Sequence, residues 1–551
     1  MRLLGTHLAR MVADELRVFA LAYAQNLSLQ VVKDFQVYGP WSPPAVLLAA
    51  SVILVHVSSS EAALLSLAVS ALFDLGLHGS QSNHVVLEAL VTLAVLLTAP
   101  NPLIGGVRDQ RRAEWSARLT LAMRGILVML YAVTGFAKLN DGWHDPRYSC
   151  CVHMLVGVVG FFTPGLVRYM PSHLLQLLPY GATAFELSFP LVLVGALACG
   201  GVSARRPSRV LRALTIGGCA FHVLIALPPP PISVYPFSML MVPIYIHALL
   251  PHHVGAAARA VGAWPAAMRI AAVSVFAAAG GIALALHSAS SRFEYPPYFS
   301  WELGVLWTVA AFGALAAVAV VSSGAPTPAT PAAPWMGRGR TVLALFPAVL
   351  LVAISSGTYL GVRTYPSFAM FSNLLIEGNA SNHWIVRRPA ALAEWAHKSG
   401  LGPQWQYGPH AAIEILHTDL PALRELQVNL APLLPAHVLA ALSAANASAE
   451  FHISPPAWPY PPTEGVFRPF SVPLVEVRRR LSAAVRASPR VSFVVRYRVV
   501  GARSKALREY RRRDGQRTRG SDASLDEELP PLRAMLHRYR TFDAAYAPCR
   551  H

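Results

Sequence analysis

Long apolar runs, separated by short polar breaks marked by arginine, dominate the chain from about Pro44 to Gly361. A helix crosses a bilayer with roughly 20 apolar residues. On that measure the pattern predicts spans at 44–57, 61–78, 84–99, 119–138, 180–199, 211–227, 232–250, 268–287, 303–322 and 341–361. Residues 151–170 are apolar too, but Gly157, Gly160, Pro164 and Gly165 break them up, and they read as a short re-entrant or interfacial piece. Residues 1–31 mix Arg2, Arg10, Asp14, Glu15 and Arg17 into their apolar positions, so they form an interfacial amphipathic helix rather than the clean core of a signal peptide.

Beyond residue 362 the pattern changes. No spanning run occurs, and Pro, Trp and Arg become frequent. A helical pattern at 474–486 leads into 491–499, where Phe493, Val495, Tyr497 and Val499 alternate as in a half-buried strand. The run Arg511 to Arg519 reads as a solvated insertion. The expected fold is therefore mostly α: a polytopic transmembrane helical bundle of about nine or ten spans over residues 1–362, and a C-terminal extramembrane α+β domain over 363–551.

Composition agrees with a membrane protein, since only 13% of the 551 residues are charged while 54% are hydrophobic. The net charge of +18 comes mostly from arginines in short loops and in the last third, which report topology and lipid headgroups rather than nucleic acid. The five cysteines, Cys150, Cys151, Cys199, Cys219 and Cys549, have no metal-ligand spacing and predict no disulfide framework.

Charge also sets orientation, because short loops rich in Lys and Arg stay on the cytoplasmic side. Arg108, Arg111, Arg112 and Arg118 mark one loop, and Arg205, Arg206, Arg209 and Arg212 mark the next. If 151–170 does not cross, these two loops are two spans apart and share a side, and the loops with Arg259 and Arg269 and with Arg338 and Arg340, each two spans further on, share it as well. The C-terminal domain is then lumenal or periplasmic, with sequons Asn379-Ala-Ser and Asn446-Ala-Ser.

In that topology four ionisable residues share one depth, the outer ends of their spans: His84, Lys138, Glu186 and His222. An ionisable group inside a membrane is costly and turns toward the bundle or a cavity. Two readings stand: a functional pocket, or a buried network that ties helices together. Tyr131, Gly135 and Lys138 fall on one helix face and would line a wall of such a pocket. Desolvation disfavours the charged form of a lysine, which would leave Lys138 a neutral amine able to act as a general base. A carboxylate from Glu186 would do the opposite and hold it charged.

The stretches Ser82-Asn-His84-Val-Val-Leu-Glu-Ala-Leu, Arg124 to Lys138-Leu-Asn-Asp-Gly-Trp143, and Phe221-His222 followed by Phe237-Ser-Met-Leu-Met resemble the vitamin K-dependent gamma-carboxylase family and its HTTM (horizontally transferred transmembrane) domain relatives. The resemblance covers roughly residues 10–390. It implies an integral membrane enzyme of the endoplasmic reticulum or another endomembrane, or of a bacterial inner membrane. Such an enzyme would deprotonate vitamin K hydroquinone or a related quinol and use the base formed on epoxidation to carboxylate a Glu-containing protein. Lys138 falls on the family's quinol-deprotonating lysine and His84 on its carbanion-step histidine, with Tyr131, Gly135, Glu186 and His222 around the quinol and no metal. The stretch Pro366 to His383 and the ending Cys549-Arg-His551 look more like the bacterial and algal relatives. That implies the alternative of a membrane protein that binds a quinol or lipid without carboxylating anything.

Overall fold

A computed structural model describes chiefly residues 83–100, 108–199, 209–228, 234–263, 301–321, 338–360, 367–376, 381–387, 412–424, 469–500 and 506–518, with shorter pieces elsewhere. The helices are α1 Asn83–Thr98, α2 Arg108–Ala137, α3 Asp141–His144, α4 Cys150–Phe162, a 3₁₀ turn Pro164–Tyr169, α5 Ser172–Cys199, α6 Arg209–Ala226, α7 Tyr235–Leu249, α8 Pro251–Gly262, α9 Trp301–Val321 and α10 Arg338–Tyr359. Among the described residues five helices are long and apolar enough to cross a membrane, or six if the bent pair α7 and α8 counts as one. The protein is a multi-pass, mostly helical membrane protein. The expected spans 44–57, 61–78 and 268–287 lie wholly or largely outside the described residues, as do most of residues 1–31 and the sequon at Asn379.

Three boundaries depart from the sequence reading. Arg108, Arg111, Arg112 and Arg118 do not form a loop; they occupy the first turns of α2, which at 30 residues is longer than the bilayer requires. Glu114, among them, pairs with Arg340 Nη1 of α10 at 3.4 Å, and Arg118 Nε donates to the Glu114 backbone carbonyl at 3.1 Å. Lys138 is not inside the span, because α2 ends at Ala137 and the lysine sits in the turn that closes it. The span expected at 232–250 continues into α8 through a 105° bend. Leu250 precedes Pro251, which disfavours helical geometry at Leu250, and proline then starts α8 where its missing N–H is not needed. Residues 151–170 do not span: α4 has 13 residues and passes into the 3₁₀ turn.

The chain divides into two compact units, Met1–Ala132 with Leu187–Val352, and Val133–Glu186 with Ala353–His551. In the first, α9 packs along α6 and α7. Close approach is enabled at two glycines: a Cβ on Gly218 would lie 2.0 Å from Tyr245 Oη, and one on Gly304 would lie 2.1 Å from the Tyr235 ring.

The second unit holds the C-terminal domain. Its strands are β1 Ala412–Thr418, β2 Asn429–Pro432, β3 Ala457–Tyr460, β4 Phe470–Pro473, β5 Phe493–Val499, β6 Arg508–Arg513 and β7 Gln516–Arg517, with a short helix α11 Pro421–Arg424 and a longer one, α12 Leu474–Ala487. A five-stranded antiparallel sheet runs β4-β1-β5-β6-β7, and β2 pairs separately with β3. Ile413, Ile415, Val472, Phe493, Val495, Tyr497 and Tyr510 form a core with Val477 and Leu481 of α12. Strand alternation puts Arg496 and Arg498 on the opposite face, where they bond Glu509 and Glu414. The expected solvated insertion at Arg511 to Arg519 is instead largely strand: Arg511 to Arg513 lie on β6, and the period-2 pattern buries Tyr510 while leaving Arg511 and Arg513 outward. Cys150 is disulfide-bonded, which the sequence reading did not predict, whereas Cys151 and Cys219 are free. Cysteine spacing alone carries no record of which residues the fold brings together.

Candidate functional site

The four ionisable residues of the sequence reading are distributed over both units. Lys138 and Glu186 belong to one, His84 and His222 to the other.

Lys138 Nζ donates to Glu186 Oε2 at 2.7 Å, and the two side chains are only 8% and 6% exposed. This ion pair is what the sequence reading named as the rival to a neutral lysine base. It is built by the surrounding motif. The Lys138 N–H bonds Gly135 O at 3.1 Å, a tightened last turn that ends α2 at the lysine. Asn140 then works in two directions: its Nδ2 donates to Ala137 O at 2.8 Å, and its Oδ1 accepts from Trp143 N at 2.8 Å as the N-cap of α3. That cap turns the Trp143 ring under the lysine, with Nζ 5.1 Å from the ring centroid. Trp143 Nε1 donates to Thr183 Oγ1 at 2.9 Å and to Pro179 O at 3.1 Å, on the helix that carries Glu186. Spacing of Lys, Asn and Trp therefore has a physical reason: one residue supplies charge, one ends and restarts the helix, and one fixes the distance to α5.

Two returning stretches, residues 371–376 and 381–387, clamp this corner, and sequence reasoning missed their role. Asn140 Nδ2 donates to Ser372 O at 2.7 Å, Asp141 N to Asn382 O at 3.0 Å, and Trp384 N to Leu139 O at 2.8 Å. Asn382 Nδ2 bonds Asn373 O at 2.8 Å, and Asn373 Oδ1 accepts from Cys150 N at 3.0 Å. Phe368, Phe371 and Asn373 all hold left-handed backbone, with φ of 56°, 54° and 54°. That conformation is uncommon for asparagine and an outlier for phenylalanine, and it persists where surrounding contacts over-determine it. The available signal was Ser381-Asn-His-Trp384, polar and aromatic residues just beyond the last span.

His383 and His144 are locked by this clamp. His383 Nδ1 accepts from the Ile385 and Val386 N–H groups at 3.1 and 3.0 Å, so Nε2 carries the proton and donates to Phe136 O at 2.9 Å. Burial lowers its pKa below the ordinary histidine value, opposed by the Phe136 carbonyl. His144 donates from Nδ1 to Asn140 O at 3.0 Å, stacks on Trp384 and meets the Tyr180 ring at a tilt of 51°. Burial lowers its pKa as well, opposed by that carbonyl and by Asp141.

In the other unit, Tyr131 and His222 meet directly, with Tyr131 Oη 3.0 Å from His222 Nε2 and 2.8 Å from Tyr245 Oη. Ser238 spends its single proton on His222 O at 3.1 Å, so its oxygen accepts from His222 Nδ1 at 3.3 Å. The chain of donors then has one direction: Tyr245 to Tyr131, Tyr131 to His222, His222 to Ser238. Phe312 stacks on the imidazole with 7° between planes, and Phe189 stacks on Tyr131. His84 is the second residue of α1 and half-buried, while Gly135 is buried in the last turns of α2.

The first arrangement can exchange a proton between an amine and a carboxylate beside an aromatic face. The second can hold or relay one along a line of hydroxyl and imidazole groups. Compared with family models, curated proteins and solved structures, the chain matches none.

Proposed function

We propose that this is a membrane enzyme of the vitamin K-dependent carboxylase and HTTM type, whose Lys138–Glu186 pair takes a proton from vitamin K hydroquinone or a related quinol. The observation that carries this reading is the pair itself, nearly sealed at the end of an apolar helix. The family resemblance falls on the same lysine. A bound quinol would supply an acidic phenolic hydroxyl and, with oxygen, the oxidation that generates a strong base.

The donor set fits such a group. Lys138 passes one proton to Glu186 along their 2.7 Å hydrogen bond, which frees a lone pair on the amine. That lone pair would be able to take a phenolic proton, returning Lys138 to ammonium while Glu186 keeps the proton it received. Trp143 holds the amine from one side, and its indole bonds to α5 keep the carboxylate in reach. His84, which falls on the carbanion-step histidine of that family, would handle the proton of a Glu-containing substrate.

Purified protein mixed with vitamin K hydroquinone, oxygen, labelled bicarbonate and a Glu-rich peptide tests the reading. Epoxide forms and label enters the peptide in wild type, and Lys138→Ala makes neither. Absence of epoxide in wild type, or undiminished epoxide in the variant, sinks the base chemistry.

A second reading rests on a specific observation: Tyr131 and His222 already satisfy one another and their neighbours. On that reading the protein binds a quinol or lipid and carboxylates nothing. Epoxide without fixed carbon dioxide favours it.

A further inference from the structure

We infer that the corner formed by the end of α4, the 3₁₀ turn and the first turns of α5 is seated in the phospholipid headgroup layer of the outer leaflet, as an interfacial foot on the bilayer. This stands apart from the chemistry at Lys138.

The surface is apolar and outward. Phe162, Leu166, Tyr169, Leu174 and Leu177 are 56%, 54%, 66%, 43% and 64% exposed, and Tyr180 follows at 51%. Within 19 residues of chain that is a row too long for a surface meeting water alone. Val152, His153, Val156, Gly157 and Gly160 of α4 are buried and the residues between them half-buried, so the outward row begins where α4 ends, at Phe162.

Two opposing constraints bracket its depth. The hydrocarbon core excludes it, because a 3₁₀ turn leaves backbone groups without helical partners, and lipid offers none. Arg168 also lies in this turn, its guanidinium 4.6 Å from the Tyr169 ring centroid. Water excludes it equally, because six large apolar or aromatic side chains are outward. An arginine beside a tyrosine, with apolar side chains below, is the composition that suits the headgroup layer.

The length of α5 gives the same answer independently. Its spanning stretch, Ser172–Ala198, has 27 residues. At 1.5 Å per residue, about 20 residues cover the hydrocarbon core. That length leaves room for the first turns, with Leu174 and Leu177, to stand above the core on the proposed seating, with Leu191, 75% exposed, within it.

The test attaches a nitroxide to Leu166→Cys and, separately, Leu177→Cys in the full chain, in nanodiscs of three parts phosphatidylcholine to one of phosphatidylglycerol. Collision with oxygen, which concentrates in lipid, is compared with collision with a water-soluble nickel chelate. Leu191→Cys serves as the hydrocarbon reference, and Arg513→Cys, at a side chain 81% exposed on β6, as the aqueous one. Wild type labelled in parallel gives the background from native cysteines. The expected oxygen-to-nickel ratio at 166 and 177 is several-fold above the aqueous reference and several-fold below the hydrocarbon one. A ratio equal to either reference overturns the proposal, and so does protection from both reagents, which would mark a protein partner or a second copy on this surface.

Discussion

Lys138 and Glu186 form a buried pair whose worth lies in being complete. Removing one partner of such a pair strands a charge and costs about 3–5 kcal/mol, whereas replacing both with apolar residues is often near neutral. Lys138→Met and Glu186→Leu are each expected to lower thermal stability in detergent sharply, and the double variant to recover most of the loss. A double variant no better than the sum of the singles contradicts direct coupling across the 2.7 Å contact. His383 and His144 give a pH dependence. Both have pKa values lowered in the folded protein by burial, so the unfolded chain binds more protons as acid is added. Their contribution is complete above the unfolded value, about 6.5, and is lost as pH falls below it. Melting temperature measured from pH 8 to pH 5 is expected to drop below about 6.5, and His383→Gln, which keeps a side-chain donor for Phe136 O, to flatten the drop. An unchanged slope in that variant would remove His383 from the account. Sequence alone identified Lys138 and its possible carboxylate partner, because ionisable groups stand out in apolar runs. It could not choose between a lone base and a pair, since that depends on a bond across 48 positions. His144, Asn373, Asn382 and His383 were not legible as site residues, because their roles depend on a segment more than 220 positions from Asn140.

At the scale of elements the predicted helices fall close to the observed ones. The run expected at 211–227 is α6, that at 303–322 is α9, and the helix expected at 474–486 is α12. Apolar length and periodicity suffice for these, because they are local. Ends were less legible: α2 and α5 extend by 11 and 8 residues beyond the apolar runs at their N-termini, through residues that are polar or interfacial yet still helical. The arginine run after Tyr510 was misread because charge hid a two-residue alternation. Two glycines separate packing from propensity. Gly→Ala in a helix interior gains up to about 1 kcal/mol, while overpacking a tight contact costs about 1–3 kcal/mol. Gly313 has nothing within 4 Å of its missing Cβ, whereas Gly218 has Tyr245 Oη at 2.0 Å. Gly313→Ala is therefore expected to raise the melting temperature or leave it unchanged, and Gly218→Ala to lower it. Equal effects would mean that Tyr245 moves aside freely, despite its bond to Tyr131.

For the whole molecule, arginines stand at the starts of α2, α6 and α10, a distribution that under the charge rule would put those ends on one side of the membrane. Lys138 follows the opposite end of α2, close in sequence to Cys150, which is disulfide-bonded. On the proposed reading the lysine end of α2 faces the outer side, the kind of compartment in which disulfides persist. A proton acceptor beside an aromatic ring is what the proposed chemistry needs for an apolar substrate with a phenolic hydroxyl. The measurement that bears most directly on this is anaerobic mixing of the purified protein with vitamin K hydroquinone, followed by the ultraviolet absorbance of the quinolate and by equilibrium binding. Wild type is expected to form quinolate at a pH where free quinol stays protonated, and Lys138→Met to bind the quinol without ionising it. Quinol that remains protonated on wild type, or that ionises equally on Lys138→Met, would contradict the assignment of Lys138 as the base.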